Sequence, residues 1–273
     1  MATTADYLTQ LQADKQVLVD NLVAKGVSAT NDETFTSLVP KVAEISGGSA
    51  ITKGVIVETV DDNGFASEIK IVGLTEVPNG YCSGNTGGAN IGFLEKLTKV
   101  ILDENITKIG EYAFNYQKKL THINLHNSIT EIGKYAFTQN NALTINSLPE
   151  NLQKIGEWCF SYILDTEITF PIGVTELPDS VMRNCSKLEK IVCNGDITSI
   201  GALSFFYDRV LKTFVLPNIT TVPTLSSSNA FDTTSISSGT GYIYVPDFLV
   251  EDFKVATNWS TYADQIKGIS ELW

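Results

Sequence analysis

An internal repeat of about 23 residues runs through most of this 273-residue chain. Its leading column consists of leucines that are 23 residues apart, or 45 where one unit departs from the pattern: Leu97, Leu120, Leu143, Leu188 and Leu211. A second column keeps the same period and stands directly before a glycine or a proline: Ile109, Ile132, Ile155, Leu177, Ile200 and Val222. One unit of this length cannot bury its own apolar side chains, so the units must stack against one another. The repeat therefore predicts a solenoid with one continuous core.

Each unit begins with an alternation of apolar and polar residues, as in Leu120-Thr-His-Ile-Asn-Leu125. Alternation of this kind predicts a half-buried strand. An Ile-Gly or Leu-Pro pair then turns the chain, and an Ala-Phe step begins a short helical or irregular return with the aromatic ring inside. Because every unit repeats this path, we expect the strands to form a parallel β-sheet.

The repeat resembles the BspA-like family of leucine-rich repeats over about residues 69–235. The motifs that carry the resemblance are Leu120-Thr-His-Ile-Asn-Leu125 with Glu131-Ile-Gly-Lys-Tyr-Ala-Phe137, and Cys185-Ser-Lys-Leu-Glu-Lys-Ile191. The resemblance implies a leucine-rich repeat solenoid, in a family whose members are mostly adhesive or structural.

The fourth unit departs from this pattern. Thr166 replaces the leading leucine there, and Leu177-Pro178 replaces the Ile-Gly pair. Since the apolar columns resume in phase after it, we expect a local irregularity rather than a domain boundary.

The two ends of the array differ from the repeat. Residues 54–72 alternate on either side of Asp61-Asp-Asn-Gly64, and Asn-Gly between such runs predicts a β-hairpin that would cover the open edge of the first coil. Tyr242 to Pro246 predicts a last strand, followed by a helix that Asp247 caps. The chain thus divides into a helical module at 1–48, a linker and hairpin cap at 49–72, the solenoid at 73–238 and a C-terminal strand-helix cap at 239–273.

The N-terminal module has the pattern of amphipathic helices. A heptad seam, with apolar residues alternately three and four apart and Lys15 interrupting it, is formed by Leu8, Leu11, Leu18 and Leu22. A helix of about 20 residues is marginal by itself, so its apolar stripe needs a partner. That partner is either a second amphipathic stretch of the same chain, in a helical hairpin, or another copy of the chain, in a homo-oligomer (trimer or dimer).

The same module resembles an N-terminal module of tail or fibre proteins from phages and prophages of Gram-positive bacteria. The matching segments are Lys15-Gln-Val-Leu-Val-Asp-Asn-Leu-Val-Ala-Lys-Gly26 and Asp32-Glu-Thr-Phe-Thr-Ser-Leu-Val-Pro-Lys41. The resemblance implies a place in the phage tail after cytoplasmic assembly, with other tail or baseplate proteins as partners. We expect no secretory signal, because the first residues lack a basic start and an apolar run.

The charge balance of the chain is acidic: 19 Lys and Arg residues against 31 Asp and Glu residues give a net charge of −12. We therefore expect no binding to nucleic acid, which needs a basic surface, and no docking on anionic membranes. Membrane insertion is not expected either, since no stretch reaches the roughly 18 apolar residues of a spanning helix.

Motifs for catalysis, cofactor binding and metal binding are missing from the sequence. There is no phosphate-binding Gly-x-x-x-x-Gly-Lys run and no His-Glu-x-x-His pair. His122 and His126 are the only histidines, and two ligands fall short of the three or four of a usual zinc site. Glu111 and Glu157 recur at one repeat position, which is more typical of a solvated face than of a glycosidase pair. The sequence predicts no catalytic residues, no cofactor and no metal.

The candidate ligand-binding residues lie on the outward face of the predicted strands, between the buried columns: Lys99, His122, Asn124, Glu167, Lys190 and Thr213. A row of variable side chains over a rigid sheet suits a large ligand such as a bacterial surface glycan or protein. Aromatic residues near the turns, such as Tyr112, Tyr135 and Trp158, either stack on sugars or pack against the solenoid, and we favour packing.

These features together predict a non-enzymatic phage or prophage tail fibre, or receptor-binding protein, that recognises a bacterial surface ligand through its solenoid. Oligomerisation would raise the avidity of weak individual sites. The alternative is a BspA-like adhesin that is secreted or located at the bacterial cell surface. A third alternative is a cell-wall-degrading enzyme, for which the sequence offers no site.

Overall fold

The structure is a computed structural model that describes residues 54–61, 65–84 and 96–272. It also describes residues 12, 15–16, 19–20, 28–33 and 94. The heptad leucines Leu8, Leu11, Leu18 and Leu22 lie outside the described residues, so the helical module and its oligomerisation stay predictions. Within the described part of the chain, no helix has the length and apolar composition needed to span a lipid bilayer.

The described residues form short strands and little helix. The strands are β1 (Gly54–Val60), β2 (Ala66–Val72), β3 (Glu76–Val77), β4 (Lys99–Leu102), β5 (Lys108–Ile109), β6 (His122–Ile123), β7 (Glu131–Ile132), β8 (Lys154–Ile155), β9 (Glu167–Phe170), β10 (Glu176–Leu177), β11 (Lys190–Cys193), β12 (Ser199–Ile200), β13 (Thr213–Val215), β14 (Thr224–Leu225), β15 (Tyr242–Val245) and β16 (Ile266–Gly268). The helical segments near the C-terminus are α1 (Val250–Val255) and the 3-10 turns Asp247–Leu249, Trp259–Gln265 and Ile269–Glu271. The described residues 12, 15–16 and 19–20 are also helical.

A regular coil contributes two strands to two separate rows. The leading strands form the sheets β1-β2-β4-β6 and β16-β15-β13-β11-β9, and the trailing strands form β3-β5-β7-β8 and β10-β12-β14. Neighbouring coils pair in parallel and in register, so that Lys99 lies opposite His122 and Lys190 opposite Thr213. The prediction of a repeat solenoid with parallel sheets is confirmed.

The apolar columns of the repeat form a core that runs along the array. Leu97, Leu120, Leu143 and Leu188 are fully buried within it. The inward phenylalanine rings also follow one another, and the Phe114 and Phe137 centroids are 5.6 Å apart. Apolar burial of this kind, repeated in every coil, is the main contribution to the stability of a solenoid.

The rows of strands are interrupted near the middle of the array. No leading strand forms at residues 143–148, and the trailing strands β8 and β10 belong to different sheets. Asp165 bridges the gap, because its buried carboxylate accepts hydrogen bonds from the backbone N–H of Ile145 and of Asn146, both at 2.8 Å. The core continues through this point, so the irregularity is local. The strand that is missing belongs to the unit of Leu143, however, one unit earlier than Thr166.

The return segment of each coil is neither helical nor irregular. Alternate residues donate backbone hydrogen bonds to the next coil, as from Tyr112 to Lys134 and from Phe114 to Ala136, both at 2.9 Å. Tyr112 has a left-handed φ of 56°, and equivalent residues repeat this conformation, as at Tyr135 with 57°. These turns therefore form a third hydrogen-bonded ladder along the solenoid, which replaces the helical or irregular return expected from the sequence.

The first and last described strands differ from the repeat in their connections. β1 pairs with β2 antiparallel, and β2 pairs with the first regular coil. At the other end, the Trp259 indole donates a hydrogen bond to the Pro223 carbonyl at 2.8 Å, and Asn258 donates one to the Leu225 carbonyl at 2.7 Å. Asp247 does not cap α1 as expected from the sequence. Its carboxylate accepts a hydrogen bond from the Ser270 hydroxyl instead.

Candidate binding surface

The residues proposed from the sequence as ligand contacts lie on the outward side of the leading strands, in two groups. Lys99 and His122 are cross-strand neighbours in the first sheet. Glu167, Lys190 and Thr213 lie side by side in the second sheet. The interruption at residues 143–148 separates the two groups, so they do not form one continuous row.

Several of these side chains already bind neighbouring coils. Lys99 forms an ion pair with Glu68 at 2.5 Å, and Lys190 lies 3.6 Å from Glu167. Exposed pairs of this kind contribute little to stability and exchange readily for other partners. Asn124 differs, because its amide oxygen accepts a hydrogen bond from the backbone N–H of Leu102 and its amide nitrogen donates one to the Leu102 carbonyl. Its amide group therefore extends the sheet, and ligand binding by these residues stays a prediction.

A groove of about 1130 Å³ lies over the trailing strands, on a face that the sequence interpretation did not assign to a ligand. Its lining extends from Asn79 to Ser226 and crosses seven successive coils. The five inner coils each contribute the polar residue that precedes the buried column: Lys108, Glu131, Lys154, Glu176 and Ser199.

Glycines follow the buried column and form part of the groove wall. A Cβ atom on Gly133 would lie 2.7 Å from the backbone nitrogen of Glu111, and one on Gly156 would clash with the backbone nitrogen of Lys134. Backbone atoms cannot move aside as the end of a side chain can. The trailing strands of neighbouring coils therefore approach closely at these glycines, and no side chain has room on this wall of the groove.

The groove is polar and carries both charges. Lys108 pairs with Glu131 at 3.1 Å, and Lys134 pairs with Glu157. Hydrogen bonding to these carboxylates raises the pKa of both lysines, so each lysine stays protonated at neutral pH. Lys154 lies between these pairs and has no ion pair among the residues that the structure describes.

An aromatic ladder lies beside the groove, because its residues directly follow Glu111, Lys134 and Glu157 of the groove lining. Tyr112, Tyr135 and Trp158 stack with centroid distances of 4.8 and 5.9 Å, and the Arg183 guanidinium lies 4.9 Å from the Trp158 ring centroid. A second depression of about 280 Å³ lies beside these rings. The rings pack face to face along the solenoid, as the packing interpretation favoured, while their edges line an open surface.

A metal site requires a group of ligating side chains, and a reactive thiol requires an accessible cysteine. No group of three or more metal-ligating side chains occurs among the described residues. The described cysteines Cys82, Cys159, Cys185 and Cys193 are buried free thiols. Burial raises the pKa of Cys82 to about 12, which keeps it a thiol and a poor nucleophile.

The repeat itself is that of a known family. Residues 107–237 match the model of the BspA type leucine rich repeat region, in six copies. This part of the chain is a BspA-type repeat region. It contains most of the groove and the aromatic ladder, whereas residues 1–48 lie outside the match. No curated protein is similar to the chain in sequence.

Solved leucine-rich repeat proteins are similar to the chain. One from Bacteroides ovatus is 22% identical with a TM-score of 0.48, covering 71% of this chain and 58% of its own. A leucine rich cell surface protein of Faecalibacterium prausnitzii is 20% identical with a TM-score of 0.44, covering 64% and 49%. The T. pallidum leucine rich repeat protein is 17% identical with a TM-score of 0.35, covering 58% and 86%. The chain thus spans less than two thirds of the Bacteroides protein.

The groove was missed in the sequence because the glycine column of the BspA-type repeats was interpreted only as a set of turns. A glycine that recurs after a buried residue also marks a close approach of backbones. Gly110, Gly133, Gly156 and Gly201 carry that signal. Their shared position pointed to one face of the solenoid.

Proposed function

We propose that this protein is a non-catalytic recognition protein that binds an extended polymer of a bacterial surface, a glycan or a protein segment, in the groove over its trailing strands. The observation that supports this proposal is the groove itself, which crosses successive coils whose polar side chains are in register on either side of the break between β8 and β10.

The dimensions of the groove favour a polymer over a small molecule. Pockets for small ligands enclose about 300–1,000 Å³ and bury most of the ligand. This groove is larger and open along one side. Coils spaced by about 4.8 Å present a polar side chain at each step, which suits a ligand with repeated polar groups.

Two biological settings agree with this proposal. The resemblance of residues 15–41 to phage fibre modules supports a tail fibre or receptor-binding protein in a virion, joined to other tail proteins and present as an oligomer. The BspA-type repeats support a bacterial adhesin equally well. We propose the tail fibre as the first setting, because it accounts for the N-terminal segment as well as the repeats.

The two ends of the solenoid are proposed to act as caps. β1 covers the edge of β2. At the other end, the side chains of Asn258 and Trp259 donate hydrogen bonds to backbone carbonyls of the last trailing coil. Open strand edges pair with other chains, so a recognition protein with this architecture needs both ends covered.

Charge reversal at Lys154 tests the groove. Lys154→Glu places a third carboxylate beside Glu131 and Glu176, so we expect at least about fivefold weaker binding to purified Gram-positive cell walls in a co-sedimentation assay. Lys187→Glu is the matched control, because it makes the same charge change at an exposed lysine outside the groove. Equal binding by the two variants, or no binding by the wild-type protein, contradicts the proposed function.

A further inference from the structure

The aromatic ladder ends on an open ring face. Tyr112 stacks against Tyr135 on one side, at 4.8 Å. On its other side the preceding coil carries Gly80, and a Cβ atom on Gly80 would meet no atom of the described residues within 4 Å. Tyr112 is accordingly 43% exposed, although it lies within a stack.

Gly80 occupies the same repeat position as the ladder residues. Its backbone N–H donates to the Glu111 carbonyl at 2.8 Å, just as Tyr112 donates to the Lys134 carbonyl. Its φ is 64°, whereas Tyr112, Tyr135 and Trp158 adopt values of 56° to 58° with large side chains in place. The backbone conformation therefore does not by itself require a glycine at this position. Among the residues that the structure describes, none fills the place over Gly80 where the next ring of the ladder would lie.

The place over Gly80 has the thickness of one ring. Parallel strands are about 4.8 Å apart, and the Tyr112 and Tyr135 centroids are separated by the same distance. A ligand ring lying over Gly80 would consequently rest at stacking distance from the free face of Tyr112. Aromatic rings bind flat partners best in such offset stacks.

Two polar residues directly precede Gly80 and Tyr112 in the chain, at the N-terminal end of the groove. Asn79 and Glu111 both line the groove there. The Asn79 amide oxygen accepts the backbone N–H of Glu111 at 2.8 Å, which fixes the amide and leaves its NH₂ group to donate. The Glu111 carboxylate has no ion pair among the described residues and accepts hydrogen bonds from hydroxyl groups. A ring with an apolar face and hydroxyl groups at its edge satisfies both features, which a hydrocarbon or phenyl ring does not.

We propose that the place over Gly80 is a subsite for one hexopyranose ring of a surface glycan, which stacks on Tyr112 and hydrogen-bonds to Asn79 and Glu111. The subsite rests on the proposed function, since it gives the groove ligand a chemical class and fixes one of its ends.

Two variants test the subsite in opposite ways, with the full-length protein and soluble chitotetraose, maltotetraose and cellotetraose as probes in calorimetric titrations. Tyr112→Ala removes the stacking face. Gly80→Tyr fills the place over Gly80 with a further ring of the ladder. We expect the wild-type protein to bind at least one tetrasaccharide, and both variants to bind it at least about tenfold more weakly.

Matched controls separate the subsite from general effects of the substitutions. Tyr207→Ala removes an exposed tyrosine from a distant turn, and Leu203→Tyr adds a tyrosine at the equivalent left-handed position of a distant coil. Both controls should bind as the wild-type protein does, and urea denaturation shows whether each variant is folded.

The subsite is overturned if no tetrasaccharide binds, or if the two variants bind no more weakly than their controls. Cell-wall binding separates this failure from that of the proposed function. If Lys154→Glu loses cell-wall binding and Tyr112→Ala retains it, the result contradicts the subsite and supports the groove. If Lys154→Glu retains cell-wall binding and Tyr112→Ala loses tetrasaccharide binding, the result contradicts the groove and supports the subsite.

Discussion

Single side chains with short polar groups hold the coils in register by accepting backbone hydrogen bonds from neighbouring coils. Asn140 accepts the N–H of Gln117, and Asp208 accepts that of Cys185 at the equivalent position, at 2.8 and 2.7 Å. Both are fully buried, and each leaves its second polar atom without a hydrogen-bonding partner in the described structure. An amide and a carboxyl group thus perform the same task, but only the carboxyl group titrates.

Asp208→Asn is predicted to stabilise the protein at neutral pH. Burial raises the pKa of Asp208 well above its ordinary value, so the folded protein keeps a proton that the unfolded chain releases near pH 4. The contribution of Asp208 to the free energy of unfolding is therefore greatest below about pH 4 and falls as the pH rises towards the folded-state pKa. Asparagine keeps an oxygen that accepts the Cys185 N–H. Because it does not titrate, the variant does not lose stability in this way as the pH rises.

Urea denaturation at several pH values measures the effect. The stability advantage of Asp208→Asn over the wild-type protein should grow between about pH 4 and pH 8. Asp264→Asn changes an exposed carboxylate and serves as the control. A constant difference across that range would show that Asp208 does not titrate differently in the folded state.

At the scale of elements, the glycines between neighbouring trailing strands permit the close approach of the coils. Gly156→Ala is predicted to lower the free energy of unfolding by about 2 kcal/mol, because its methyl group meets the Lys134 backbone. Gly80→Ala makes the same chemical change where no described atom lies within 4 Å. The left-handed backbone there costs alanine about 1–2 kcal/mol, and this cost is partly offset because alanine also lowers the conformational entropy of the unfolded chain. Urea midpoints should show the larger loss for Gly156→Ala, and equal losses would remove the close-approach argument.

The elements differ in how far the sequence predicts them. Columns such as Leu97 and Leu120 are predictable, because burial requires an apolar residue at every turn of the repeat. The left-handed turns are not, since Tyr112 and Trp158 occupy a conformation for which their residue types give no signal. The bridge made by Asp165 is equally hidden, because its two backbone donors precede it by about one repeat. The groove depends on how successive coils stack, and the sequence of a single unit does not contain that information.

At the scale of the whole molecule, the predicted function depends on several solenoids acting together. Leu11→Asp combined with Leu18→Asp places two charges in the predicted heptad seam, so we expect an oligomer of the wild-type chain to dissociate. Sedimentation equilibrium measures the mass, and co-sedimentation with cell walls should show at least about a hundredfold loss of avidity. Glu33→Lys changes a charge in the same module outside the seam and is the control. A monomeric wild-type chain contradicts this prediction.

The third backbone ladder, formed by the return segments, has a consequence for how such a gene can change. The coils from Gly80 to Ser180 are joined through equivalent amide and carbonyl groups, although their side chains differ. Duplication of one 23-residue unit within the coding sequence would add one coil and preserve the backbone hydrogen bonds of the coils on either side. The length of the groove, and with it the ligand of the proposed function, would then change in whole coils.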